Sequence, residues 1–282
     1  MLATVSISRF APSPTGRLHL GHAYSAVIGR SVGARFLLRI EDLDAGRCRP
    51  EFVDGIFEDL AWLGIAWDGD VMFQSARVAA YATALDGLRA RGLVYPCFCT
   101  RADIAASLTA PHGDAGAGYA GTCRGLPDDP ERRALTPHSW RLDSAKAVAI
   151  AGMPGWREHD GTEFEARSGD IGDAILARKD APASYHLACV VDDAASEVDL
   201  VVRGADLRPS TSLQRLLQIL LGLPEPRYLH HPLVVHQDGR RLAKRDQAPT
   251  LAAMRDAGVD GMGLTKDLKL GRLPLGFRLA DA

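Results

Sequence analysis

The run Arg35–Ile40 (RFLLRI) puts apolar side chains on both faces of any strand it forms, so that strand needs cover on both sides. The flanking segments can supply it. Upstream, a helical stretch runs from about Gly21 to near Gly33. Downstream, Phe52, Ile56, Leu60 and Leu63 recur at spacings of 4, 4 and 3, which predicts an amphipathic helix stopped by Gly64. Ala76–Arg91 reads as a second such helix, closed by Gly92. Val5–Phe10 alternates as a short strand and breaks at Pro12–Gly16 (PSPTG). After residue 184 the pattern returns, with an apolar stretch Tyr185–Val191, a strand Val198–Val202, a helix Thr211–Leu221 and a strand Leu229–Val235. Strands alternating with helices predict an α/β chain, a Rossmann-like doubly wound parallel sheet.

Between the two halves the character changes. Residues 94–140 carry three of the five cysteines, Cys97, Cys99 and Cys123, with Gly and Pro dense from Pro111 to Pro137. This stretch reads as an irregular insertion rather than a hydrophobic layer. An odd cysteine count in a chain of this size argues against a disulfide framework. The charge is nearly balanced, 33 Lys plus Arg against 35 Asp plus Glu. A basic coat for non-specific nucleic-acid binding is thereby excluded, and any such contact must be local and shaped. The apolar runs fall far below the ~20 residues that span a bilayer, and Met1–Phe10 lacks the charged and apolar regions of a signal peptide. The chain is expected to be soluble and cytoplasmic, with no membrane partner.

Two short segments carry chemistry. His19-Leu-Gly-His22 follows the first strand and its Pro/Gly turn and opens a helix, where exposed N–H groups attract phosphate. The two histidines lie on one helical face and can donate to a polyphosphate, while Gly21 lets a flat ring approach the backbone. Arg240-Arg-Leu-Ala-Lys-Arg245 follows the strand at 229–235. Only five lysines stand against 28 arginines, and Lys244 sits in a loop suited to meet developing phosphate charge.

In combination these residues resemble a known family. RFAPSPTGRLHLGH (9–22) is similar to the HIGH region of class I aminoacyl-tRNA synthetases of the glutamyl type, and RLAKR (241–245) to their KMSKS loop. FLLRIEDLD, SYHLACVVDD and VVRGADL match further glutamyl-type segments in order. The likeness runs from Arg9 to about Asp246. It is strongest to the short subgroup that lacks an anticodon-binding domain and places glutamate on queuosine in the anticodon of tRNA(Asp). The resemblance implies ATP-dependent formation of glutamyl-adenylate, followed by transfer to that modified base. It implies glutamate-binding roles for Arg9, Ala11, Ser13, Glu41, Tyr185 and Arg203. It further implies ATP contacts by His19, Gly21, His22 and Lys244, with His19, His22 and Lys244 catalytic and Mg²⁺ accompanying ATP. Arg9 and Arg203 suit bidentate carboxylate binding, and Glu41 suits the ammonium.

Three thiols within 27 residues provide three zinc ligands. Among the residues themselves His112 is the generic fourth donor, whereas the resemblance points to Tyr119. The implied organisation is a Rossmann-like catalytic domain over 1–246, interrupted by a zinc-binding and acceptor-binding insertion at about 94–183, and a short C-terminal segment 247–282 with little apolar periodicity and no anticodon-binding domain, acting as a monomer. Three departures from the family stand out. The helix between His22 and Arg35 is about one turn short, Ala243 replaces a common serine, and the tail is brief. Other readings are a glutamate-activating paralogue with a different acceptor, an HxGH nucleotidyltransferase, or a silent tRNA-binding module.

Overall fold

The computed structural model describes residues 6–100, 102–103, 119–127, 129–167, 169–242 and 249–280. In chain order its elements begin β1 (Ile7–Phe10), α1 (Leu20–Val32), β2 (Arg35–Ile40), α2 (Pro50–Trp62), β3 (Met72–Phe73), α3 (Val78–Ala90) and β4 (Val94–Cys97). Then come α4 (Pro130–Leu135), β5 (Ser139–Leu142), α5 (Ser144–Ala151), β6 (Gly155–Arg157), β7 (Glu163–Glu165), β8 (Ile175–Ala177) and α6 (Tyr185–Ala195). The last are β9 (Leu200–Gly204), α7 (Ser210–Leu221), β10 (Arg227–His231), β11 (Val234–His236), α8 (Leu251–Asp256), α9 (Gly261–Lys269) and β12 (Phe277–Leu279). They fall into two compact units. The first comprises Met1–Ala76, Glu197–Arg208 and Pro226–Ala282, and the second Arg77–Ser196 and Pro209–Glu225.

In the first unit β2 pairs in parallel with β1, Arg9 opposite Leu37, and with β3, Arg39 opposite Met72. A second parallel ladder joins β9 to β10, Arg203 opposite His230. The ladders meet at Asp199, whose carboxylate accepts from the Ile7 amide at 2.6 Å while its own amide donates to the Ile7 carbonyl at 3.2 Å. The two ladders, β3-β2-β1 and β9-β10, therefore lie edge to edge with β1 beside β9, and the winding reverses between these two strands. As the apolar run demands, Phe36, Leu38 and Ile40 of β2 are buried, with Leu20, Ala23 and Val27 of α1 and Ile56 and Leu60 of α2 in the same core. The stop at Gly64 is as expected: its φ of +67° lies in the left-handed region that a side chain disfavours. No helix among the described residues is long and apolar enough to cross a membrane.

The structure corrects three expectations. The segment 229–235 is not one strand, because Pro232 interrupts it: β10 belongs to the parallel ladder, whereas β11 pairs antiparallel with β12. The tail holds two helices after all. Thr250 and Asp260 cap them, and Leu251, Met254, Leu264 and Leu268 enter the main core. Both helices are short, six and nine residues, so each shows too few turns for a periodicity to be read. An ion pair from Arg255 to the fully buried Asp59, 2.9 Å long, fixes α8 to α2, and burial pushes the Asp59 carboxyl up to about 6 despite that partner.

The third correction concerns the insertion. In the second unit β4, β5 and β8 form an antiparallel sheet, and β6 and β7 a hairpin on which Trp156 stacks against Phe164. Asp173, with no exposed side-chain surface, joins the parts. It accepts from Tyr95, from Arg124 at 2.6 Å and from the Ser144 hydroxyl at 2.6 Å. Burial opposes its ionisation, but these bonds prevail and hold the carboxyl below its usual range. The α6 carboxylate Asp192 is likewise buried, against Arg77 and Tyr81 of the α3 region.

Docking of the tail is open to measurement. Leu268→Ala should lower unfolding free energy by about 2–5 kcal/mol, as expected for a buried leucine, whereas Leu270→Ala, at a position 65% exposed, should change it by less than about 0.5 kcal/mol. Urea denaturation of both variants distinguishes a docked tail from an appended one.

Candidate active site and metal centre

The carboxyl ends of β1, β2 and β9 converge where the winding reverses, the place at which open α/β sheets bind ligands. Arg9, 6% exposed, donates from Nη1 to the carbonyl of Val202 at 3.1 Å, immediately before Arg203. Arg203, 4% exposed, donates from Nε to His230 Nε2 at 3.1 Å, and its guanidinium lies over the Tyr228 ring at 5.4 Å. Two buried guanidinium groups thus stand on neighbouring strands. Glu41 follows β2, and its amide donates to the Pro12 carbonyl at 3.0 Å, drawing it to the loop that holds Ala11 and Ser13. Ala11 is half-buried there and Ser13 exposed. The Glu41 carboxylate pairs with Arg39 at 3.1 Å. Arg39 and His230 went unnoticed in the sequence, since an arginine inside an apolar run and a paired histidine carry no spacing signal.

His19 is the N-cap of α1. Its Nδ1 accepts from the Gly21 amide at 3.1 Å, while His22 Nδ1 accepts from the His19 amide at 3.1 Å, and the rings lie 3.8 Å apart. This is a capping box built from two imidazoles instead of the usual hydroxyl and carboxyl. Since Nδ1 accepts on both rings, Nε2 carries the proton on both. A side chain at residue 21 would meet the His19 ring at about 3.1 Å, so the glycine makes room for the imidazole that folds back over it. Thr250 bridges to His19, and Leu242 reaches the same glycine. The described residues on either side of 243–248 therefore both abut the helix N-terminus. Lys244 and Ala243 themselves lie outside the described residues. Arg240 and Arg241, just before them, pair with Asp238 at 2.7 Å and Asp206 at 3.8 Å. Tyr185 belongs to the second unit, where it opens α6 after the cap Ser184.

Also in the second unit, the sulfurs of Cys97, Cys99 and Cys123 lie within 4.8 Å of one another, Cys99 and Cys123 at 3.5 Å. Tyr119 completes the group, its hydroxyl 3.4 Å from Cys97 Sγ and 3.7 Å from Cys99 Sγ. The edges of a tetrahedron around one zinc would be roughly 3.8 Å between sulfurs and 3.5 Å from sulfur to oxygen, so the four donors fit a metal ion. Arg141 lies over the Tyr119 ring at 3.8 Å and donates to the Asp173 carbonyl at 2.7 Å. Burial raises the Cys97 thiol, but hydrogen bonds with Tyr119 and Arg141 bring it below its ordinary value. Burial and the Cys123 thiol push Cys99 up to about 11. His112 lies outside the described residues. Cys189 bonds Asp193 at 3.3 Å, and Cys48 lies well apart in sequence, following β2.

The box is testable apart from any chemistry. His22→Ala should lower stability by about 1 kcal/mol, while His22→Asn, whose Oδ1 can accept where Nδ1 did, should retain most of it. Chemical denaturation of the pair measures the difference.

Comparison with known proteins agrees with this geometry. A family model described as the catalytic domain of class I tRNA synthetases (E and Q) matches residues 5–270. The glutamyl-Q tRNA(Asp) synthetase of Rhodobacter capsulatus is 44% identical over 269 residues, covering 90% of this chain and 96% of that protein. The protein of the same name from Nocardia farcinica is 47% identical over 264 residues, covering 89% and 79%. Among solved structures, a glutamate tRNA ligase from Elizabethkingia meningosepticum in complex with its amino acid superposes with a TM-score of 0.75 at 24% identity, over 95% of this chain and 61% of that one, a likeness of fold. By the family match and these relatives, the chain belongs to the class I tRNA synthetases of the E and Q type, alongside members named glutamyl-Q tRNA(Asp) synthetase.

Proposed function

We propose that the chain, as a cytoplasmic monomer, activates L-glutamate with ATP and transfers the glutamyl group to queuosine in the anticodon of tRNA(Asp). The observation that carries this reading is the pair of buried guanidinium groups, Arg9 and Arg203, on the two strands that border the point where the winding reverses, with Glu41 following β2. A dicarboxylate with one ammonium is the amino acid that such a set complements. Arg9 and Arg203 would each take a carboxylate, and the ammonium would share Glu41 with Arg39. Tyr185 would donate to a carboxylate oxygen, and Ala11 and Ser13 would border the substrate. The names of the relatives support queuosine as the acceptor.

In the first step a glutamate carboxylate oxygen attacks the α-phosphorus of ATP. The new C–O–P linkage forms as the bond to pyrophosphate breaks. The carboxylate is already a nucleophile, so no base is required, and catalysis is positioning and charge stabilisation. The Nε2–H groups of His19 and His22 would donate to the polyphosphate, with Gly21 admitting ATP close to the helix N-terminus. Lys244 would meet the negative charge that builds on the leaving group, and the anchoring of Leu242 and Thr250 at that helix supports this role. Mg²⁺ bound with ATP would share the remaining phosphate charge. In the second step a queuosine hydroxyl attacks the glutamyl carbonyl, forming the ester as AMP departs.

Cys97, Cys99, Tyr119 and Cys123 would hold one zinc ion. It would serve structurally, tying β4 to the segment around Cys123, because all four coordination positions are filled by protein. In a catalytic body of 1–246 that zinc would lie within the insertion at about 94–183.

ATP–pyrophosphate exchange tests the reading. Exchange should occur with glutamate alone among the amino acids, and labelled glutamate should appear on tRNA(Asp) that contains queuosine but not on the same tRNA without it. His22→Asn should cut exchange at least tenfold while remaining folded, which separates the Nε2–H from the cap. Lys244→Ala should depress exchange far more than it weakens glutamate binding. Exchange with no amino acid, with and without tRNA, would overturn glutamate activation. Metal analysis should find one zinc per chain in the wild type and a loss in Cys123→Ser.

A further inference from the structure

In the first unit, the register of the β9–β10 ladder sets Arg203 directly opposite His230. Alternation along β10 places Tyr228, two residues earlier, on the same face as His230. Their rings are parallel to within 1°, with centroids 5.8 Å apart. The Arg203 side chain crosses to this pair. Its Nε donates to His230 Nε2 at 3.1 Å, and its guanidinium lies 5.4 Å from the centre of the Tyr228 ring, within cation–π range. All three side chains are buried, Tyr228 at 1%, Arg203 at 4% and His230 at 9% exposure. Since Nε2 accepts, the neutral His230 ring carries its proton on Nδ1.

We infer that His230 is a positioning residue for glutamate recognition, acting through Arg203. A guanidinium can grip a carboxylate bidentately by either of two edges, one formed by Nε and an Nη, the other by both Nη atoms. The bond to His230 takes Nε, so a bidentate grip is directed to the Nη1–Nη2 edge. The chemistry of the acceptor matters as much as its place. An aspartate or glutamate at 230 would hold the same N–H but would cancel the positive charge that a substrate carboxylate needs. An apolar residue would leave a buried charged donor without this partner. A neutral imidazole nitrogen orients the guanidinium and adds no negative charge, while Tyr228 covers the guanidinium plane. This role concerns glutamate and not ATP, whose contacts fall to His19, His22 and Lys244. The inference rests on the reading that Arg203 binds a glutamate carboxylate.

The test uses the full chain with its metal and measures ATP–pyrophosphate exchange against both glutamate and ATP concentration. His230→Phe keeps a ring to stack on Tyr228 and removes only the acceptor. It should lower kcat/KM for glutamate about tenfold, as expected on losing a hydrogen bond to a charged group, with KM for ATP within about twofold of wild type. His230→Gln lacks the ring, but its Oε1 can accept the same N–H, and it should recover most of the loss. In an Arg203→Ala background, His230→Phe should cost less than about twofold more, because its target is gone. If His230→Phe loses its thermal transition, His230→Leu takes its place. Equal losses in Phe and Gln variants, a full further loss on top of Arg203→Ala, or a parallel rise in KM for ATP would overturn the positioning role. Nitrogen-15 spectra of the imidazoles read the bond without activity: wild type should show a neutral Nδ1–H ring that is missing from His230→Gln. A missing signal of the Nε2–H or doubly protonated form at neutral pH overturns the inference. Should Arg203→Ala exchange like wild type, or wild type not exchange with glutamate, the glutamate reading falls. An Nδ1–H ring at His230 would then show Arg203 held for another ligand.

Discussion

The N-terminus of α1 sets the terms for the first unit. A helix begins with amide donors that lack partners within the helix. Here the groups that satisfy two of the local amides are imidazole nitrogens, His19 Nδ1 for Gly21 and His22 Nδ1 for His19. One bond network thereby does two jobs. It closes the helix end, and it fixes both rings in the tautomer that carries hydrogen on Nε2. A carboxylate at either position would satisfy the amides equally well but, being acceptor-only, would leave no donor. The spacing of the motif follows from the reciprocity of N-cap and N3, and glycine at residue 21 spares the His19 ring the shift that a Cβ would force.

The reversal of winding between β1 and β9 sets the second condition. Parallel strands that diverge from one point leave a crevice at their carboxyl ends. Arg9 and Arg203 stand on the two strands that border it, linked through the Val202 carbonyl. Burying two cations side by side is unfavourable unless anionic or hydrogen-bonding groups compensate. His230 contributes an acceptor to Arg203, and a carboxylate substrate would contribute further compensation.

How much of this could be read from sequence varied with the physics of each part. The β2 run, α2 and its stop at Gly64 were readable because burial and helix termination are local. The histidine pair was readable as two imidazoles at a helix start, but the cap it forms was not, since Nδ1 acceptance depends on ring orientation. The strands around Cys97 and Cys123 were missed, because Gly and Pro in the turns hid short antiparallel segments of three or four residues. Leu264 and Leu268 were missed for a different reason: their burial comes from docking against a distant part of the chain rather than from a repeat within the tail.

The spacing Cys97-Phe98-Cys99 joins two of these themes. With one residue between them on extended backbone, two cysteines can point to the same side only if the intervening side chain points to the other. The cysteine sulfurs meet Tyr119 and Cys123, and the Phe98 ring meets His138 and Arg132. A metal held by the sulfurs would therefore restrain the backbone that carries the ring. Arg141, on the paired strand, extends the same logic: it covers Tyr119 while Asp173 holds its guanidinium through the backbone carbonyl. Asp173 also binds Arg124, the residue after Cys123, so one buried residue steadies both sides of the cysteine cluster.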